Sequence, residues 1–199
     1  LLSKIEKEAF DLLICTIAIP SNRKCIEEPD KSFLANVSVP LKVIRMANTF
    51  NVPIFLFSSH GVFEPKNEVE YFGDLDTPNS STFYGLMKIE LERIASELCK
   101  SSSTIIRLPS MYGSRLFPGS LGACERIISD LIQSENIEVR RDLYDSYSCV
   151  NDIAVHIRDH LYEISQTQIF HIAIEGITSM ANFAQTAKAL LNSKSKITE

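Results

Sequence analysis

Apolar residues in this sequence fall into two kinds of pattern that alternate along it. Short, nearly continuous apolar runs occur at Asp11–Ile17 (DLLICTI), Pro53–Phe57 (PIFLF), Thr104–Leu108 (TIIRL) and Gln168–Ile174 (QIFHIAI). Runs of that length without polar alternation predict β-strands covered on both faces. Between them, apolar positions recur at three and four residues, the period of a helix with one buried face. Phe33, Val37, Leu41, Ile44 and Ala47 make one such series, and Phe83, Met87, Leu91, Ile94 and Leu98 a second. Pro40 lies inside the first and is expected to kink that helix or mark its start. Ser120–Gln133, Asn151–Ile164 and Thr178–Leu191 predict three more helices, with Asn151 and either Thr178 or Ser179 as N-caps. Strands alternating with helices predict an α/β fold with a mainly parallel sheet.

Two connections, Ala18–Lys31 and Gly61–Ser81, read as long polar loops that hold Pro20, Pro29, Pro65 and Pro78. Loops that follow strand C-termini are where α/β proteins place ligand sites. The alternation gives way to a more mixed pattern near Gly113–Gly119, which predicts a division into residues 1–113 and 114–199.

Composition narrows the function classes. The 199 residues are 45% hydrophobic and 23% charged, as expected of a globular chain with a real core. The net charge of −5, without a run of Lys or Arg longer than two, disfavours a nucleic acid or an anionic membrane as partner. The five cysteines are widely spaced and form no C-x-x-C pair, which points to buried thiols in a reducing cytoplasm rather than to disulfides or a zinc site. No apolar stretch is long enough to span a membrane, and no signal peptide is seen.

The sharpest chemical feature is Tyr84-Gly-Leu-Met-Lys88 in the second helical series. Residues four apart share a helical face, so phenol and ammonium can point into one space. A tyrosine titrates near ~10, and a nearby cation favours its phenolate, which suits it to exchange a proton with an alcohol or carbonyl. Alone, the pair is also what a solvated helix face offers. Its context adds Ser58 and Ser59 at the C-terminal end of a predicted strand, 25 residues ahead of Tyr84.

These pieces resemble the extended short-chain dehydrogenase/reductases, the family of nucleotide-sugar epimerases and 4-keto-sugar reductases. The matching residues are Ser58-Ser59 with Val62-Phe63, Tyr84-Gly85-x-x-Lys88, Arg107 with Tyr112-Gly113, Cys149-Val150-Asn151-Asp152-Ile153-Ala154, and Phe170-His171-Ile172 followed by Thr178. Asn36-Val37 resembles the family's Asn-Val helix, and Asp11–Ala18 the strand that ends beside the nicotinamide. The resemblance implies a Rossmann-like parallel sheet with a small C-terminal substrate-binding portion. It also implies a catalytic centre of Ser59, Tyr84 and Lys88. Ser59 would hold the reacting carbonyl, Tyr84 would move the proton, and Lys88 would lower the tyrosine's pKa and hold the ribose of NAD or NADP. Ala18, Ser58, Tyr84, Lys88, Leu108 and Pro109 would bind the cofactor; His60, Ser110 and Met111 would bind a nucleotide-sugar substrate; no metal is implied. The helices at 33–50 and 83–100 are a pair the family often uses to form homodimers.

Three departures qualify the match. The sequence contains no G-x-x-G-x-x-G phosphate loop, which implies that the opening βαβ units are missing and that the chain is a fragment of a longer protein. Ser110 stands where many members carry an Asn that contacts the nucleotide-sugar. His60 and Gly61 replace the Asp-Glu of the 4,6-dehydratase branch, leaving reduction or epimerisation. Among other constellations, His156-Ile-Arg-Asp-His160 lacks the Glu of a zincin, and no G-x-S-x-G elbow supports a hydrolase. A non-catalytic nucleotide-sensing or scaffold protein with the same fold is the alternative from another class.

Overall fold

The computed structural model describes residues 10–64, 71–113, 121–160 and 168–198. They form two compact units, the first drawn from Leu1–Pro65, Phe72–Leu108 and His160–Ile172, the second from Lys66–Tyr71, Pro109–Asp159 and Ala173–Glu199.

The first unit is built on a sheet of four parallel strands in the order β1 (Leu13–Cys15), β2 (Ile54–Ser59), β3 (Ser103–Leu108), β4 (Gln168–His171). The α/β fold and parallel sheet expected from the alternation are therefore present. All six residues of β3 are buried, as are Ile54, Phe55 and Leu56 of β2, which is why both strands have apolar centres, while Ser103, Thr104 and Arg107 of β3 are polar side chains buried with them. β1 is shorter than its apolar run. Only Leu13–Cys15 pair, with Ile54–Leu56, and Ile17 is exposed. β4 likewise stops at His171, and Ala173 and Ile174 enter the second unit.

The connection read as a loop over Ala18–Lys31 instead holds two short helices, α1 (Asn22–Glu27) and α2 (Pro29–Phe33). Ser21 caps α1 by accepting from Lys24 N at 3.3 Å, and Pro29 begins α2, where its missing N–H costs nothing. A π-helical turn, Leu34–Ser38, then runs into α3 (Val39–Phe50). Pro40 accordingly sits in the first turn of α3, and the widened turn before it absorbs the bond a proline cannot donate. The helix α4 (Phe83–Leu98) is capped by Thr82, whose hydroxyl accepts from Gly85 N at 3.1 Å. Ile44 and Ala47 of α3 and Met87, Leu91, Ile94 and Ala95 of α4 pack on Ile54, Leu56 and Ile105. Each fully buried Ile or Leu here contributes roughly 1.5–3 kcal/mol.

Among the described residues the second unit has three helices, α5 (Ala123–Ile132), α6 (Val150–Asp159) and α7 (Met180–Leu191), and three two-residue strand pairs. Ile127, Leu131, Ile137, Val139, Ala181 and Ala184 make its core. Ser179 caps α7, accepting from Asn182 N at 3.1 Å. Asn151 is not a cap, because the strand Ser148–Cys149 runs directly into α6 at Val150 and leaves Asn151 in the first turn. Residues 114–119 of the expected boundary, Ser120 and residues 161–164 of the expected helix lie outside the described residues. All five cysteines are free thiols. Among the described residues no helix is long and apolar enough to cross a membrane, and no three His, Cys, Asp or Glu side chains gather as a metal site.

Candidate active site

Ser59 is the last residue of β2, at the C-terminal edge of the sheet, and is 8% exposed. The chain turns there into a 3₁₀ segment, His60–Val62, with Gly61 N donating to Ser59 Oγ at 3.0 Å. Val62 O accepts from both Asn79 N (3.0 Å) and Ser80 N (2.9 Å), which ties this turn to the approach of α4. Tyr84 is the second residue of α4, and its ring stands beside the serine turn: a Cβ at Gly61 would lie 3.6 Å from the Tyr84 ring and 3.3 Å from Ser59 Oγ. Lys88 follows one turn later with its ammonium 5.7 Å from the Tyr84 ring centroid. The structure thus brings Ser59, Tyr84 and Lys88 into one small volume.

The electrostatics differ from the sequence expectation in one respect. Burial pushes the Tyr84 phenol up to about 12, above its ordinary value rather than below it. Lys88 is 2% exposed, and Nζ donates to the Phe57 carbonyl at 2.9 Å. Burial brings Lys88 down to about 8, opposed by Cys15, Glu92 and Cys25.

Gly85 explains why α4 can begin so close to the serine turn. A Cβ there would collide with the Ser80 hydroxyl and the Gly61 carbonyl and stand 2.6 Å from Ser80 Cβ. Gly85→Ala is therefore expected to destabilise the protein by about 1–3 kcal/mol through overpacking. Urea unfolding would check this, and an unchanged midpoint would mean that α4 shifts freely.

The other residues singled out from the sequence are more dispersed. Ser58 is buried, but its hydroxyl donates to Glu92 Oε1 at 2.5 Å, so that side chain is committed to the protein's own network. His60 Nδ1 lies 3.1 Å from the Leu108 carbonyl, at the end of β3. Ala18 is exposed just beyond β1. Pro109, Ser110 and Met111 belong to the second unit, where Ser110 N donates to Asp145 Oδ2 at 2.9 Å.

Three side chains near the centre were given no role in the site from the sequence, although Asn36 and Arg107 belong to the matched motifs. Asn36, fully buried, accepts from Ile19 N (2.9 Å) and donates to Ile19 O (3.1 Å), holding the segment after β1 as a strand partner would. Glu92 and Arg107 form a buried ion pair, with Arg107 Nη2 to Glu92 Oε2 at 2.8 Å and Nε to Oε1 at 3.0 Å. Glu92 had a signal, since Tyr84, Lys88 and Glu92 are spaced four apart on one helical face.

Comparison with known proteins decides the family. The model of the RmlD substrate binding domain family matches residues 1–198. The chain belongs to that family. As an RmlD-type chain it bears out the resemblance to the extended short-chain dehydrogenase/reductases. It is similar to a dTDP-4-dehydrorhamnose reductase of Clostridium acetobutylicum, with 22% identity, a TM-score of 0.86, and 99% of this chain and 68% of that one covered. The Bacillus anthracis dTDP-4-dehydrorhamnose reductase in complex with NADP gives 20% identity, a TM-score of 0.87, and coverage of 98% and 68%. The UDP-glucose 4-epimerase of Thermotoga maritima with UDP-glucose gives 17% identity, 0.82, and 100% and 68%. No curated protein matches the sequence. At these identities the structures establish the fold, a Rossmann-like α/β sheet, of which this chain spans about two thirds.

The site's own residues fit the nicotinamide end of a dinucleotide. An ammonium has three N–H donors, and Lys88 gives one to Phe57 O, leaving donors for ribose hydroxyls. Gly61 keeps the space between the serine and the tyrosine clear: a Cβ there would stand 3.3 Å from Ser59 Oγ and 3.6 Å from the Tyr84 ring.

Proposed function

We propose that this RmlD-type chain is the catalytic part of an NAD(P)-dependent enzyme that reduces or epimerises a nucleotide-activated sugar. The observation that carries the reading is that Ser59 and Tyr84 both stand against Gly61 at the strand edge, with the buried Lys88 ammonium one helical turn from Tyr84. Bound nicotinamide would supply or accept the hydride. The chain's residues would do the rest. Ser59 would donate to the carbonyl oxygen of the sugar and hold it beside the phenol. Tyr84 is protonated at neutral pH, as a phenol ordinarily is, and burial raises it further, so it is in the form that can give its proton as the carbonyl becomes an alcohol. Lys88 would hold the ribose and offset the charge that develops on Tyr84.

Reduction is favoured over epimerisation by the reductases among the similar structures, one of them solved with NADP. Ala18, Leu108 and Pro109 for the dinucleotide, and His60, Ser110 and Met111 for the sugar nucleotide, are assignments of the same reading, as is a substrate-binding role for the second unit. A homodimer is part of it too, supported by Phe33, Leu34, Phe83 and Leu86, each about half exposed on or beside the helices concerned.

The test is made on the full-length protein, mixed with NADPH or NADH and a dTDP-4-keto sugar. Loss of the reduced cofactor only when the keto sugar is present is the expected result. Interconversion of UDP-glucose without net loss would instead point to the epimerase. A protein that binds the dinucleotide and turns over neither substrate would be the nucleotide-sensing alternative, and the catalytic reading would fail.

A further inference from the structure

Beside the Ser59–Tyr84 pair lies a buried charged row that the proposed chemistry does not use. Glu92 accepts three hydrogen bonds: on Oε1 from Ser58 Oγ (2.5 Å) and Arg107 Nε (3.0 Å), on Oε2 from Arg107 Nη2 (2.8 Å). Ser58 and Arg107 are register partners across β2 and β3, and Arg107 and His171 across β3 and β4. Arg107 Nη1 reaches His171 Nε2 at 3.2 Å, so the row crosses three strands.

The geometry ties strand to helix at two successive points. Phe57 O is held by Lys88, and Ser58 Oγ by Glu92, one turn further along α4. The next residue of the strand is Ser59, and the preceding turn of the helix carries Tyr84. A slide of α4 along β2 that separated Ser59 from Tyr84 would have to break both ties.

Charge adds a second role. Three ionisable groups act on Lys88: Cys15 from β1, Cys25 from α1 and Glu92 from its own helix. Glu92 is the carboxyl group among them, one turn beyond Lys88 on the same helix and ion-paired with Arg107. An ion pair at this depth stabilises a fold no better than apolar side chains of like volume, so packing alone does not account for it.

We propose that Glu92 and Arg107 are positioning residues of this site. In this role Arg107 holds Glu92, and Glu92 holds the end of β2 against α4 and keeps Lys88 in its cationic form. The inference rests on reading Tyr84 and Lys88 as the proton-transfer pair.

The test uses the full-length protein with both charges replaced, Glu92→Met together with Arg107→Met. Removing the pair as a unit leaves no unpaired buried charge, and cooperative unfolding near the parent's melting temperature is expected. In that folded variant kcat should fall about 10- to 100-fold, with KM changed by less than about threefold, as for a displaced catalytic group. NMR of the lysine side-chain nitrogen should show Lys88 titrating at lower pH than in the parent. A folded variant with the parent's kcat and the parent's Lys88 titration overturns the proposal. Should the double variant unfold, Glu92→Gln, which keeps the shape and the Ser58 bond, carries the test through Lys88: a lowered titration supports the role and an unchanged one overturns it. Tyr84→Phe separates the two readings. If it keeps full turnover, the proton-transfer reading itself fails; if it loses turnover while the double variant does not, only the positioning role fails.

Discussion

A Tyr84→Phe variant of the full-length protein is expected to lose roughly 10²–10⁴-fold in kcat for reduction of a keto sugar nucleotide, the range typical of removing a positioned general acid. The ring remains and only the hydroxyl goes, so the packing of α4 on the sheet and the binding of cofactor should change little. Tyr84 and Ser59 both stand against Gly61, which is the geometric link between the strand and the helix at the site. The measurement is steady-state kinetics on parent and variant at matched cofactor saturation. Equal turnover would remove the phenol from the mechanism.

The same variant carries a pH signature. The folded chain holds Tyr84 near 12, against an ordinary value of 10. The unfolded chain therefore releases this proton first as pH rises, so the fold loses stability between those two values and keeps the contribution in full below the lower one. Tyr84→Phe should flatten that alkaline slope in unfolding experiments. An unaltered slope would mean that the phenol is not held protonated by the fold.

The second large effect is on stability. Arg107→Ala is expected to cost about 3–5 kcal/mol, because it leaves the Glu92 carboxylate buried without its cation. Arg107 and Glu92 side chains are only 3% and 6% exposed, so water cannot replace the lost partner. Arg107 also places its guanidinium 5.1 Å from the Phe63 ring and donates to Asp74 O at 3.4 Å, contacts that vanish with it. Denaturant unfolding of the full-length protein would read the loss. A change below about 1 kcal/mol would contradict the view that this pair is desolvated, since that is the value of an exposed ion pair.

Much of the first unit was legible because its signals are local. The runs that became β2 and β3 have apolar centres, as strands buried on both faces do. The series from Phe83 to Leu98 marks the buried face of α4 at Met87, Leu91 and Ile94, while Phe83 and Leu98 at its ends are exposed. Tyr84 and Lys88 announced themselves by spacing, and Ser59 by its place at a strand end. The misreadings also have local causes. Pro29 was read as part of a loop, yet it opens a helix, where proline is tolerated, whereas Pro40 marks the start of α3, one of the two roles expected of it. Asn151 has the chemistry of a cap, but the two-residue strand ahead of α6 leaves no room for one.

What the sequence alone determined is the order of elements, the parallel character of the sheet, and which three side chains compete for a catalytic role. These follow from hydrophobic period and from residue type at short spacing, both of which act within a few turns of chain. The tertiary structure decided the rest: that Lys88 donates a hydrogen bond to the Phe57 carbonyl, that burial raises the Tyr84 phenol, that Ser58 turns to Glu92, and that Arg107 meets Glu92 across 15 residues of sequence. Those outcomes depend on which strand lies beside which and on how far water is excluded. Neither desolvation nor strand register is written in the spacing of residues along a single segment.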